Sequence, residues 1–115
     1  REGLIAEAVA GMRQTQALAD ARQLELLAAV DSAYGRYQLA TQSLGAFEQG
    51  LLREAEESVK AAEVAYRLGE RGILEVLDAQ RVLRTVRLDF LNAQYERQFA
   101  LIDLDELRAI DPGRK

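Results

Sequence analysis

The 115-residue chain contains no cysteine, no histidine and no tryptophan, and its single proline lies at position 112. Without cysteine it can form no disulfide. Without histidine or cysteine it lacks the side chains used in most nucleophilic catalysis and in tight binding of soft metals. Because no proline precedes residue 112, nothing upstream forces a helix to end. We therefore expect neither an enzyme nor a cofactor-binding protein, and a β-rich fold is improbable.

Helix-forming residues dominate what is present. Ala, Leu, Arg, Glu and Lys supply 64 of the 115 residues, a share above the roughly 50% that is typical of coiled coils and long helices. The net charge is −4, and Arg and Glu alternate without a basic run, so nucleic acid is not an expected partner. The longest apolar runs have four or five residues and are too short to span a bilayer.

Two helical patterns divide the chain at a pair of glycines. Helical periodicity runs over residues 4–68 and again over 73–108, and an Asp-Pro-Gly stop signal follows at 111–113. Gly69 suits the left-handed position that ends a helix. At 1.5 Å per residue the two helices would be roughly 100 Å and 54 Å long. The sequence therefore predicts an all-α fold, a long antiparallel helical hairpin with its tip at 69–72.

Both helices carry the seven-residue apolar repeat of a coiled-coil seam. In the shorter helix the repeat runs from Val76 to Leu107, and only Arg97 interrupts it. In the long helix the predicted seam consists of Leu27, Val30, Tyr34, Tyr37, Thr41, Leu44, Glu48, Leu51, Ala55, Ser58, Ala62 and Ala65.

The shorter helix can cover only about half of the longer one, because of their lengths. The N-terminal half of the long helix, which carries apolar residues such as Leu4, Val9 and Met12, would lack a partner. Either the long helix folds back near Gly45 and Gly50 into a three-helix bundle, or other segments cover it. A second copy of the chain is one such cover.

Acidic residues form a strip on the shorter helix. Its arginines at 81, 84 and 87 are expected on other faces, so the strip has no obvious basic counterpart. Near the helix start, carboxylates can also simply complement the helix dipole. The strip consists of Glu75, Asp89, Glu96 and Asp103 in one heptad line, with Asp78 beside it.

Residues 66–80 read YRLGERGILEVLDAQ. This stretch resembles the outer membrane efflux protein family, the TolC-like channels of tripartite pumps. That family repeats Tyr, two residues, Gly, a short turn and then an apolar-acidic-apolar-Leu-Asp-Ala-Gln run. The sequence of this region is also similar to that of the heavy-metal efflux branch of the family. The resemblance implies that residues 1–115 are one periplasmic hairpin of a bacterial outer-membrane channel, cut from a trimeric α-helical barrel that is a passive conduit for exported substrates.

The resemblance also implies a gate near the hairpin tip. In a trimer, Glu75 and Asp78 would each form a ring of three carboxylates at the channel constriction, which would repel one another and attract cations. Tyr66 and Arg71 match the family's latch, in which a phenol and a guanidinium bond neighbouring helices. Glu75 stands where Asp is often found. The simpler alternatives are that Tyr66 packs in the seam and that Arg71 is solvated.

The partners implied by the resemblance are a periplasmic adaptor protein and, through it, an inner-membrane pump. The adaptor would dock at the tip, at Leu68, Gly69 and Gly72. Gly72 stands where the family can have a hydroxyl residue. Two other readings stay open: the α-hairpin of the adaptor itself, and a free-standing oligomeric coiled coil. The unequal arms and the Leu-Asp-Ala-Gln run favour the channel.

Overall fold

The computed structural model describes residues 1–110, which fold into two long helical arms joined by a tight turn. The first arm consists of helix α1 (Glu2–Ala46), a π-helical turn (Phe47–Leu51) and helix α2 (Leu52–Arg67). The second arm is helix α3 (Ile73–Ile110). The Asp-Pro-Gly signal expected to end α3, at 111–113, lies outside these residues.

The arms run antiparallel and form an extended rod. Residues 1–110 contain no strand, and the molecule measures 97 × 28 × 14 Å. The prediction of an all-α antiparallel hairpin is therefore confirmed. Helix α3 packs against both α1 and α2, so the first arm does not fold back, and the three-helix alternative is wrong. The chain stays helical through Gly45 and bends around Gly50, whose φ is 124°.

Small side chains form most of the interface between the arms. Alanines at facing positions let helix axes approach closely. Many of the larger apolar side chains remain exposed in this chain, such as Leu74 and Leu88 on α3. The buried apolar residues are Ala33, Ala40, Leu44, Ala55, Val76, Leu83, Ala93 and Ala100.

The predicted seam of the long helix is only partly right. Six of the residues expected in it are exposed: Leu27, Tyr34, Thr41, Glu48, Leu51 and Ser58. The error is one of register: neighbouring lines of this Ala- and Leu-rich helix are almost equally apolar, so hydrophobicity alone selects the wrong one. The residues that face α3 instead include Ala33, Ala40, Phe47 and Val59.

The N-terminal part of α1 has no partner among residues 1–110, as the unequal helix lengths predicted. Residues 1–25 are all exposed. Leu4 is 70% exposed, Met12 72% and Leu24 68%. Side chains of this kind are normally covered in a folded assembly.

Polar contacts between the arms fix their alignment. Arg97, which interrupts the apolar repeat, places its guanidinium 5.6 Å from the ring centroid of Tyr37. Hydrogen bonding to Arg97 and then to Thr41, together with the positive charge of Arg97, lowers the pKa of Tyr37. Arg36 Nη1 lies 3.0 Å from Asp103 Oδ2. An arginine at a seam position thus acquires an aromatic partner, which favours one register of the two arms.

Candidate functional site

The turn at the hairpin tip is built around Gly69. The Glu70 N–H donates to the Ala65 carbonyl at 2.9 Å, and the Gly69 N–H donates to the Tyr66 carbonyl at 3.0 Å. This pair of bonds is the Schellman motif, which satisfies the last carbonyls of a helix. Gly69 has φ 72°, so the prediction that it occupies the left-handed position is confirmed.

Helix α3 starts directly after this turn and presents the first candidate carboxylate. The Glu75 N–H donates to the Gly72 carbonyl at 3.3 Å. The Glu75 side chain accepts a hydrogen bond from Arg71 Nη1 at 3.1 Å. Both side chains are more than half exposed. The structure thus joins a predicted latch residue to a predicted constriction residue, four positions apart.

The second candidate carboxylate is paired in the same manner. Arg81 Nη2 lies 2.7 Å from Asp78 Oδ1. The expectation that the arginines of α3 lie away from the acidic strip is therefore wrong for Arg81, because an i,i+3 spacing brings the side chains together. Ion pairs this exposed contribute about 0–1 kcal/mol, so another cation can readily replace the arginine.

Glu75 and Asp78 line one groove between the arms. Ser58 and Ala62 of α2 form the opposite wall of this groove. The two carboxylates therefore face a wall of small side chains rather than another charged helix. A groove of this kind leaves room for water and small cations beside the carboxylates.

The acidic residues of α3 continue along the same side of the hairpin. Residues 75, 89, 96 and 103 share one heptad position, and residues 78, 92 and 106 share the neighbouring one, so they follow a single edge of the helix. Asp89 and Glu96 line a second groove, and Asp103 and Glu106 line a third. We call this surface the acidic face, defined by Glu75, Asp78, Asp89, Glu96, Asp103 and Glu106.

The remaining tip residues are accessible to a partner. The side chain of Tyr66 is 48% exposed, and that of Leu68 is 67% exposed. A Cβ atom added at Gly72 would meet no atom within 4 Å. Arg71 bonds Glu75, and no hydrogen bond joins it to Tyr66 within residues 1–110.

A comparison with known protein families shows to which family the chain belongs. Residues 1–109 match the family described as outer membrane efflux protein. The chain belongs to this family. Neither the comparison with curated proteins nor that with solved structures gave a match. Since the match is to the family as a whole, the heavy-metal branch stays a prediction.

This family consists of outer-membrane transport conduits and is not an enzyme family. Within residues 1–110, no helix is long and apolar enough to cross a membrane. Over the same residues, His, Cys, Asp and Glu side chains form no group of three or more that could hold a metal ion. The site consists of carboxylates, arginines and helix backbone.

Sequence reasoning missed three features of the efflux-family hairpin. The Arg71–Glu75 and Asp78–Arg81 pairs have i,i+4 and i,i+3 spacing, so that spacing could have revealed them. Glu106 lies four heptads after Asp78, and extending the acidic strip on its second line would have included it. The π-helical turn had no comparable signal, because Gly45 and Gly50 look alike in the sequence.

Proposed function

We propose that this chain is the periplasmic hairpin of an outer-membrane efflux channel and forms part of the wall and gate of a passive conduit in a tripartite pump. One observation carries the proposal: in a member of the efflux family, Glu75 and Asp78 line a groove beside the hairpin tip, at one end of the acidic face. Family membership favours this role over an adaptor hairpin or a free-standing coiled coil.

In a trimer, each of these carboxylates would become a ring of three. Like charges brought together in a narrow passage raise one another's cost of ionisation and are stabilised by cations. Rings of Asp or Glu therefore select cations in channels. Arg71 and Arg81 partly neutralise the carboxylates in the single hairpin, through exposed pairs that can open. Soft metals would pass with only weak contact, since carboxylates bind them poorly.

The latch belongs to the same proposal. Tyr66 and Arg71 flank the tip turn, and both side chains are about half exposed or more. They would bond helices of a neighbouring hairpin and hold the tip closed. When the tip opens, Arg71 would still have Glu75 of its own hairpin as a partner, since a planar guanidinium accommodates a carboxylate readily.

The partners would meet the hairpin at two places. A periplasmic adaptor would dock at Leu68, Gly69 and Gly72, where the surface is open, and would link the channel to an inner-membrane pump. The uncovered residues 1–25 would be covered by other helices of the trimer. Their exposed apolar side chains support a larger assembly.

Cysteine cross-linking in the full-length channel tests the gate. Asp78→Cys places one thiol per subunit at the proposed constriction, where oxidation should join subunits into covalent dimers and lower conductance. Asp105→Cys is the matched control, because Asp105 is an α3 carboxylate on a groove of the opposite side, together with Gln23 and Leu101. Cross-linking of Asp105→Cys but not of Asp78→Cys would show that the acidic face does not line the constriction.

A further inference from the structure

The first arm is interrupted once between residues 2 and 67, at the π-helical turn Phe47–Leu51. Inside it, Gly50 has φ 124° and ψ 4° and is buried. A positive φ of this size is rarely adopted by residues with a side chain. A Cβ atom at Gly50 would lie 3.5 Å from Arg53 Nη2, which is an ordinary contact. The requirement for glycine is therefore one of backbone conformation.

The spacing of the residues that face α3 shows what this turn contains. Along α1 the facing residues follow steps of four and three, and along α2 they follow steps of three and four. Across the turn, from Phe47 to Leu52, the step is five. The turn therefore holds one residue more than a continuous seven-residue repeat. The facing residues are Ala33, Tyr37, Ala40, Leu44 and Phe47 before it, and Leu52, Ala55, Val59 and Ala62 after it.

If the first arm continued as a regular α-helix through the turn, a different row of α2 side chains would face α3. Continuing the steps from Phe47 without the extra residue gives Leu51, Glu54, Ser58 and then Ala61 as the facing line. That line would put a carboxylate and a hydroxyl into the seam, where burying a polar group costs free energy. With the turn, this line of α2 consists of apolar residues, and the half-buried carboxylate beside it, Glu56, lies near Arg87 of α3.

We propose that Phe47–Leu51 is a phase-setting joint: it takes up one inserted residue through Gly50 and thereby sets the rotation of α2 about its own axis, which we call its phase. Phe47 supports the joint, since its ring centroid lies 5.2 Å from that of Phe90 on α3. Gly50 itself is not helical, so the turn joins the two helices across a kink.

The phase decides what surrounds the tip carboxylates. It places Ser58 and Ala62 opposite Glu75 and Asp78. It also places Glu56 Oε1 3.8 Å from Arg87 Nη2, between the arms. The joint itself is independent of transport, but its consequence for the constriction rests on the proposed function.

Deleting Gly50 tests whether the joint takes up one inserted residue, and the reaction rates of introduced thiols report the rotation of α2. In the full chain, the buried thiol introduced by Ala55→Cys should react about tenfold more slowly than the exposed thiol introduced by Glu54→Cys, because reaction requires local opening. Deleting Gly50 restores the seven-residue repeat, so this ratio should be kept and the melting temperature should rise. Gly50→Ala keeps the extra residue but strains its backbone, so the melting temperature should fall.

Deleting Gly35 is the matched control, because it removes the same residue type from the regular part of α1. It should rotate the preceding helix out of phase and expose the thiol introduced by Ala33→Cys, whose alanine is fully buried. If deleting Gly50 abolishes the protection at position 55, or lowers the melting temperature as deleting Gly35 does, the joint is refuted. Cross-linking at Asp78 tests the channel separately, so either proposal can fail alone.

Discussion

The guanidinium carbon of Arg97 lies 5.6 Å from the ring centroid of Tyr37, across the two arms of the hairpin. Arg97 is the one residue that interrupts the apolar repeat of the second helical pattern. Its partner on α1 shows why the interruption is tolerated: a cation over an aromatic face is attracted to it while still reaching solvent. The contact therefore contributes to alignment of the arms as well as to packing.

Arg97→Gln should raise the pKa of Tyr37. Hydrogen bonding and positive charge from Arg97 are the first and third causes of its lowered pKa, and Thr41 is the second. Site-resolved NMR titration of the tyrosine rings measures the change. Tyr95, on α3, is the internal reference. An unchanged pKa of Tyr37 would show that Arg97 does not act on the phenol.

The same contact predicts a pH dependence of stability. At pH values well below its folded pKa the Tyr37 phenol is protonated in both the folded and the unfolded chain, so it contributes nothing to the free energy of unfolding. Since its folded pKa is lowered, its contribution appears as pH rises through that folded pKa towards the unfolded value of about 10, and is lost as pH falls again. Urea denaturation should show that, as the pH rises into the alkaline range, the free energy of unfolding of the unaltered chain increases relative to that of Arg97→Gln. Parallel profiles would contradict this.

Gly69→Ala should destabilise the hairpin by about 1–2 kcal/mol, the cost of a left-handed backbone for a residue with a side chain. Gly72→Ala is the control, because Gly72 lacks a positive φ and has open space around it; its effect should stay within about 0.5 kcal/mol. Urea denaturation measures both. Equal losses would mean that the tip turn does not depend on the left-handed glycine.

Phe90→Ala should cost about 2 kcal/mol, somewhat less than the 3–5 kcal/mol typical of fully buried Phe. Phe90 is half-buried and pairs with Phe47 beside the π-helical turn. Phe99→Ala removes an exposed ring from the same helix and should cost no more than about 0.5 kcal/mol. Thermal unfolding followed by circular dichroism distinguishes the two. A larger loss for Phe99→Ala would overturn the assignment of Phe90 to the seam.

The Arg36–Asp103 pair should contribute only about 0.2–1 kcal/mol, because both side chains are more than 40% exposed. A double-mutant cycle with Arg36→Gln and Asp103→Asn measures this coupling. It should shrink at high salt, where exposed charges are screened. A coupling that persists unchanged at high salt would show a less solvated contact.

The hairpin and its tip could be predicted from the sequence, because the signals are local. Helix-forming residues without an upstream proline favour long helices, and Gly69 favours the left-handed conformation that ends one. The sequence was insufficient for the seam. Tyr34 and Ala33 are adjacent, and both lie on lines of acceptable hydrophobicity, so only the packing against α3 selects between them. The π-helical turn escaped prediction for the same reason, since it is visible only as the five-residue step from Phe47 to Leu52.

For the tip, Glu75 and Asp78 stand out in the sequence by their place in the family-like run. The i,i+3 spacing of Asp78 and Arg81 permits their pairing, but the rotamers that bring the two side chains together are not specified by the heptad pattern.

Reversal potential in a planar bilayer tests the central claim most directly. The full-length trimer carrying both Glu75→Gln and Asp78→Asn should lose much of its preference for cations under a salt gradient, because the carboxylate rings at the proposed constriction would be neutral. Asp105→Asn should leave that preference unchanged. An unaltered reversal potential in the double variant would contradict the assignment of the acidic tip as the channel's selective gate.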